Sequence, residues 1–159
     1  MADAGTPKET DNPPPPGGTA EEFLRAARES SGPLMDKLGI EWLEIGQRRV
    51  VARIPVEGNT QPYGVLHGGA TAALCETVAS LGTAFLAGVE KFTVGLALSV
   101  EHLRAVRKGH ITATGVPLRV GRTTAVWDMR VHDDAGRLVA VSRLTLTVRD
   151  SLPPAPAGS

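Results

Sequence analysis

The sequence predicts an α+β fold in which an antiparallel sheet wraps around one long central helix. A single alanine-rich segment, from Gly68 or Gly69 to about Leu86, is apolar on nearly every side, and a helix with that pattern is normally buried. Six shorter segments show the alternation or the apolar runs of strands. Their connections are short, which favours antiparallel neighbours. One buried helix covered by such a sheet is the economical arrangement.

Local signals define each element in order. The segment 19–22 has the sequence of a capping box, in which a threonine and a glutamate three residues later satisfy the first free amides of a helix. Glycine and proline at 32–33 end that helix. In chain order we expect a helix at 19–28, a helical turn at 34–38, a hairpin of 40–45 and 50–56, a loop at 57–64, the central helix, and strands at 92–103, 110–120, 123–132 and 138–148.

Composition limits the possible classes of function. The 159 residues fit one domain, for which we expect residues 19–150, flanked by proline-rich disordered tails at 1–18 and 151–159. Seventeen basic and seventeen acidic residues leave no net field for nucleic acid or an anionic membrane. The single cysteine, Cys75, excludes an intrachain disulfide and a multi-cysteine zinc site. With no signal peptide and no apparent membrane span, we expect a cytoplasmic protein.

The central helix carries one charged side chain, Glu76. An unpaired carboxylate in an apolar helix costs several kcal/mol, so it either meets a partner or raises its pKa. Such carboxylates cluster at functional sites. The structural alternative is a glutamate that faces a solvent groove or pairs with an arginine such as Arg104. The pattern alone leaves both readings open.

The residues around Glu76 resemble a known signature. The stretch Asn59-Thr60-Gln61-Pro62-Tyr63-Gly64-Val65-Leu66-His67-Gly68-Gly69, with Glu76 nine residues after the histidine, resembles the motif of hotdog-fold thioesterases. The similarity is to the branch with the phenylacetic-acid-degradation (PaaI-like), 4-hydroxybenzoyl-CoA and dihydroxynaphthoyl-CoA thioesterases, and extends over about 34–149. It implies a hotdog fold and the hydrolysis of acyl-CoA or acyl-carrier-protein thioesters to a free acid and a thiol.

The resemblance also implies roles for individual residues. Glu76 is the nucleophile or general base, and the Gly68 amide polarises the thioester carbonyl, which Gln61 and His67 position. Ser80, one helical turn beyond Glu76, touches the acyl group or water. Residues with an implied substrate-binding role are Asn59, Gly69, His102 in the acyl pocket, and the Thr123-Thr124 pair near CoA. No separate cofactor is implied, because coenzyme A is part of the substrate.

The chemistry suits these residue types. Thioester hydrolysis puts negative charge on the carbonyl oxygen, and free amides at a helix N-terminus stabilise it. A phosphate-rich CoA would also suit the basic cluster that includes Arg104 and Arg107, although a solvated loop is the simpler explanation for such a cluster. The four histidines lack the compact spacing of metal ligands, so we predict no metal. Cys75 is better explained as a small buried hydrophobe than as a nucleophile.

Helix geometry suggests that the site is shared between two chains. Gly68 and Glu76 are eight residues apart, roughly 12 Å along a helix axis. They cannot both reach one thioester group, whose neighbours lie about 3 Å away. We therefore expect a homo-oligomer, with a dimer as the minimum unit and a tetramer as the larger alternative. The rival functions are a hotdog hydratase and a non-catalytic acyl-CoA-binding or sensing module.

Overall fold

The computed structural model describes residues 18–29, 32–88 and 90–150. Except for Gly18, the predicted tails at 1–18 and 151–159 lie outside these residues. Two helices come first, followed by a hairpin, the long helix and four strands: α1 (Ala20–Glu29), α2 (Pro33–Leu38), β1 (Glu41–Ile45), β2 (Val50–Pro55), α3 (Gly68–Ala87), β3 (Phe92–His102), β4 (His110–Val120), β5 (Thr124–Asp133) and β6 (Leu138–Arg149).

The capping box at the start of α1 forms as predicted. The amide of Thr19 donates to Oε2 of Glu22 at 2.8 Å, and the Glu22 amide donates back to Oγ1 of Thr19 at 3.2 Å. These reciprocal bonds satisfy amides that a helix start leaves free. The ring of Phe23 then meets Phe85 of α3 edge to face, with centroids 5.2 Å apart. This contact attaches α1 to the C-terminal end of α3.

All six strands form one antiparallel sheet in the order β1-β2-β4-β5-β6-β3. The expectation that strands joined by short connections are neighbours holds for β1–β2, β4–β5 and β5–β6. It is wrong for β3 and β4, because β4 pairs with β2 and β3 pairs with β6. The seven residues between β3 and β4 cross the end of the sheet instead of making a tight turn. This crossover leaves β3 at an outer edge.

One face of α3 fills the concave side of the sheet. Leu74, Val78 and Ala79 are fully buried there, and the indole of Trp127 donates to Oγ1 of Thr83 at 2.8 Å. By length and mean hydropathy α3 could cross a membrane, contrary to the expectation that no segment comes close, but more than half of it is buried inside the protein. It is therefore the core helix of the fold.

The described residues leave the opposite face of α3 uncovered. Its exposed or half-buried residues recur at helical spacing and comprise Gly69, Ala72, Ala73, Glu76, Thr77, Ser80 and Ala84. The prediction that α3 is buried all round is therefore wrong for the single chain, because one sheet can cover only one side of a helix.

The two edges of the sheet differ in protection. At β1, the guanidinium of Arg28 donates to the carbonyl oxygen of Trp42 from Nε at 3.2 Å and from Nη2 at 2.9 Å. At β3, no strand or helix of the described residues pairs with the outer edge, and Phe92, Val94 and Leu96 are 40, 45 and 62% exposed. A long, apolar, unpaired edge favours the addition of another strand. β3 is thus the open edge of this sheet.

Candidate active site

The N-terminus of α3 is built by the segment His67-Gly68-Gly69. His67 is the N-cap with extended backbone (φ −71°, ψ 131°), and its Nδ1 accepts the Gly69 amide at 2.8 Å. An accepting Nδ1 implies that the neutral imidazole carries its proton on Nε2. Among the described residues no acceptor reaches the Gly68 amide. A helix start with one free amide and a favourable dipole can stabilise an oxyanion.

A cavity of about 380 Å³ opens at this helix end. His102, at the end of β3, packs directly on Gly68, where an added Cβ would lie 2.9 Å from the imidazole Nε2. Gln61 and Arg104 approach from the two flanking loops. The cavity is lined by Gln61, Val65, Leu66, Gly68, Thr71, His102, Leu103, Arg104, Ala105, Val106, Val139 and Ala140. It thus combines polar donors at the helix terminus with an apolar floor.

The loop that carries Gln61 is fixed by backbone hydrogen bonds. The Gln61 amide donates to the Val65 carbonyl at 2.9 Å, and the Leu66 amide donates to the Val106 carbonyl at 2.8 Å. The first bond closes a turn, and the second attaches the loop to the β3–β4 connection. Together they hold the Gln61 backbone beside the start of α3.

Two predicted substrate-binding residues have their polar groups engaged elsewhere. The side chain of Asn59 is turned inward, with Nδ2 donating to the carbonyls of Leu38 and Pro55, both at 2.9 Å. The Gly69 amide already donates to Nδ1 of His67. Both residues therefore shape the loop and the helix start in this structure, and a contact with substrate stays a prediction for each.

Arg107 lies just outside the cavity. Its Nη1 donates to the carbonyl of Tyr63 at 3.3 Å, and the side chain borders a second depression with Lys108 and Arg137. Arg104 and Arg107 thus flank the mouth of the cavity on the same connection. This position is compatible with an anionic ligand, but the depression also contains Asp133 and Asp134.

Glu76 is exposed in the single chain, so the prediction of an acid buried in its own chain is wrong. Its helix face lies beside the open strand β3, where a Cβ on Gly95 would be 2.8 Å from Oε1 of Glu76. No salt bridge involves Glu76 within the described part of the chain, so Arg104 is not its partner. Ser80 is half-buried one turn further along the same face.

Thr123 and Thr124 lie at the opposite end of the sheet from the cavity. Both side chains are exposed at the β4–β5 turn, and the Thr123 carbonyl accepts the Val148 amide at 2.9 Å. Thr124 pairs with Thr147, which pairs with Val94 near the start of β3. His102 is eight residues further along that strand, about 26 Å at 3.3 Å per residue.

The structure therefore separates the predicted residues into two groups. One group surrounds the start of α3: Gln61, His67, Gly68, Gly69, His102, Arg104 and, at the rim, Arg107. The other group contains Glu76 and Ser80 beside the first half of β3, with Thr123 and Thr124 at that end of the sheet. Gly95 and His102 are seven strand residues apart, about 23 Å. Within the described residues of one chain, the two groups therefore do not meet.

Cys75 is not available for nucleophilic chemistry. The side chain is fully buried, and burial raises the pKa of its thiol to about 12. The Ser142 hydroxyl lies nearby, but it has no hydrogen-bond partner of good geometry among the described residues. The thiol is therefore protonated and inaccessible at neutral pH. This agrees with the prediction of a small buried hydrophobe.

Two residues near the site, Gly95 and Thr71, were not predicted from the sequence. Gly95 sits within an eleven-residue strand, and a glycine there often marks a close approach of another group. Here that group is the carboxylate of Glu76. Thr71 lines the cavity and is only 3% exposed, but nothing distinguishes it in the sequence from other small residues of α3.

The fold is that of the hotdog proteins, and comparison with known proteins gives the family. The model of the Thioesterase superfamily matches residues 63–140. The proofreading thioesterase EntH of Cronobacter turicensis is 38% identical over 120 residues, which cover 75% of this chain and 88% of EntH. The chain belongs to the thioesterase superfamily, and it is a thioester hydrolase.

Solved structures agree with this assignment. Thioesterase HI1161 of Haemophilus influenzae superimposes with a TM-score of 0.76 at 35% identity, covering 88% of this chain and 97% of that one. A mutant of thioesterase PA1618 of Pseudomonas aeruginosa gives a TM-score of 0.74 at 32% identity, covering 83 and 94%. The resemblance drawn from the motif is thereby confirmed at the level of the superfamily and the fold. The branch within it stays a prediction.

Proposed function

We propose that this protein hydrolyses acyl-CoA or acyl-carrier-protein thioesters at a site shared by two copies of the chain. Glu76 of one copy attacks the thioester carbonyl or activates water, and the Gly68 amide of the other copy stabilises the carbonyl oxygen. The observation that carries the proposal is the separation of these two groups within one chain. Arg104 and Arg107 would bind the phosphates of CoA at the mouth of the cavity.

Strand β3 is the surface through which the copies would join. Its open edge and exposed apolar side chains suit antiparallel pairing with β3 of a second copy around a two-fold axis. If all eleven residues pair, Gly95 lies opposite Ser99 of the second copy, three residues, or about 10 Å, from His102 of that copy. The corresponding separation within one chain is about 23 Å. Pairing thus brings Glu76 towards the other cavity.

Pairing at β3 would also change the environment of Glu76. The uncovered stripe of α3 lies beside β3 and would be enclosed with it. The carboxylate would then be desolvated next to a helix N-terminus, which increases the strength of its electrostatic interactions. We propose a homodimer as the minimum unit, acting in the cytoplasm without a separate cofactor. A tetramer of two such dimers is the larger alternative.

Complementation tests the shared site. Glu76→Ala and Gln61→Ala chains with different affinity tags are each purified as homo-oligomers with only a small residual activity, then mixed and allowed to exchange, and thiol release from a panel of acyl-CoAs is measured. With random exchange half of the dimers are mixed, and each mixed dimer has one intact site. We expect about a quarter of the wild-type activity. Absence of recovery in verified mixed dimers refutes the shared site.

The same panel distinguishes the rival functions. A sensing module binds acyl-CoA tightly but releases no thiol. A hydratase adds water to a double bond and leaves the thioester intact. Aryl-, alkyl- and hydroxyacyl-CoA substrates, compared at equal concentration, identify the acyl class for which kcat/KM is highest.

A further inference from the structure

Thr71 has an unusual combination of burial and missing hydrogen bonds. The residue is 3% exposed, and its hydroxyl contacts no hydrogen-bond partner among the described residues. Buried hydroxyls are normally satisfied, and a threonine in a helix usually bonds the carbonyl four residues back. Thr77 and Thr83 of the same helix do so, at 2.7 and 2.8 Å. Among the described residues only Ser142 Oγ is both enclosed and without a partner, so the unpartnered Thr71 hydroxyl is instead reached by solvent from the cavity that it lines.

The position of Thr71 suggests what the hydroxyl is for. It is one of the residues that line the cavity at the start of α3, together with Gly68 and His102. Three residues along a helix is a rise of about 4.5 Å, and residues at that spacing share a face. Helical side chains lean towards the N-terminus, which shortens the separation further. The hydroxyl and the free Gly68 amide thus face the same space.

We propose that the Thr71 hydroxyl donates a second hydrogen bond to the thioester carbonyl oxygen that the Gly68 amide binds. The inference rests on the proposed function, since it assumes that the cavity receives the thioester. Charge increases on this oxygen in the transition state, so two donors held in place before the reaction stabilise it more than one. The thioester oxygen takes the place of solvent at a hydroxyl that has no partner among the described residues.

Thr71→Val removes the hydroxyl and keeps the shape of the side chain. We expect kcat/KM for thiol release to fall about tenfold or more, the effect of losing one hydrogen bond of ordinary strength. The melting temperature of the ligand-free protein should stay about the same, because the substitution removes no hydrogen bond within the protein. Thr71→Ser keeps a hydroxyl and should retain kcat/KM within about threefold.

Thr83→Val is the matched control. Thr83 is fully buried on the same helix, but its hydroxyl accepts the Trp127 indole at 2.8 Å and donates to Ala79. Its loss leaves the indole donor unpartnered, so we expect a lower melting temperature with kcat/KM of the folded enzyme unchanged. The two Thr→Val substitutions should therefore have opposite effects.

Binding of two non-hydrolysable ligands separates this proposal from the proposed function. An S-(2-oxoalkyl)-CoA keeps a carbonyl, and an S-alkyl-CoA thioether of equal length has none. Thr71→Val should weaken the binding of the oxoalkyl ligand about tenfold and leave the binding of the thioether unchanged. The role of Thr71 would be overturned by any of three results for Thr71→Val: equally weakened binding of both ligands, an unchanged kcat/KM, or a fall in melting temperature like that of Thr83→Val. If the wild type releases no thiol but the ligand preference holds, the hydrolase proposal fails while the hydroxyl contact stands.

Discussion

Substituting Gly95 should disable catalysis without unfolding the protein. In Gly95→Ala the new Cβ would lie 2.8 Å from Oε1 of Glu76, with its next contacts at 3.6 Å to Glu76 Cδ and 3.8 Å to Leu144 Cδ1. Only the carboxylate is too close. Moving from 2.8 Å to an ordinary contact of 3.4 Å is a shift of about 0.6 Å. The end of a glutamate side chain makes such a shift easily, so the sheet has no reason to deform.

Catalysis is much less tolerant of that shift. A misplacement of about 1 Å at a reacting group costs up to about 100-fold in rate, so a shift of about 0.6 Å should lower kcat by roughly tenfold. We would measure thiol release at saturating acyl-CoA, together with the melting temperature and the oligomeric state. The variant should differ from the wild type only in the rate of thiol release.

A double-mutant cycle provides the control. If Gly95 acts by making room for the carboxylate, Gly95→Ala should have no further effect in a Glu76→Ala background. An equal loss of rate in both backgrounds would mean that the substitution acts through the strand or the subunit contact. Full activity of Gly95→Ala would refute the reasoning that this carboxylate position is the reactive one.

Two further predictions concern the fold. Gly82→Ala places a Cβ 2.3 Å from Cη2 of the rigid Trp127 ring. The clash should outweigh the gain of about 1 kcal/mol in helix propensity and destabilise the protein by about 1–2 kcal/mol in urea unfolding. Gly46→Ala is the control and should be near neutral, because the nearest contact of its Cβ is at 3.6 Å. A Gly82→Ala protein more stable than the wild type would contradict this packing. Hydrogen bonds from the Arg137 side chain and backbone lower the pKa of Asp133 from 3.8. That stabilisation is complete above pH 3.8 and is lost as the pH falls through the lower folded-state value. Asp133→Asn should therefore reduce the fall of the melting temperature at acid pH. Parallel plots of melting temperature against pH for the two proteins would exclude the effect.

Local signals in the sequence predicted the elements closely. The capping box, the glycine-bounded α3 and the alternating strands lie within one or two residues of their predicted bounds, because caps, turns and periodicity depend on neighbours along the chain. Gln61, Gly68 and His102, for which the resemblance implied site roles, line one cavity. A short loop joins Gln61 to Gly68, so the local sequence controls their spacing, whereas His102 reaches the cavity only because α3 and β3 fold back on each other.

The errors concern relations between distant segments or chains. The alternation in β3 says which face is apolar, but it does not say that β6 rather than β4 is its neighbour. The apolar residues around Glu76 predicted burial, but one sheet covers only one side of α3. A helix face that meets a second copy and one that meets its own core have the same composition. Composition therefore cannot distinguish them.

The anchoring of Asn59 has a consequence for how this protein can change. The segment from Val56 to His67 is held at its base by the Asn59 amide, by the His67 amide on the Asn59 carbonyl, and by the Thr60–Leu66 bridge. Its tip, with Tyr63 80% exposed, adds almost nothing to that framework. Substitutions at positions 62 and 63 should leave folding intact while they alter the entrance to the cavity, whereas Gly64, at φ +67°, is needed for the turn. New substrate preferences can therefore arise there at little cost to stability.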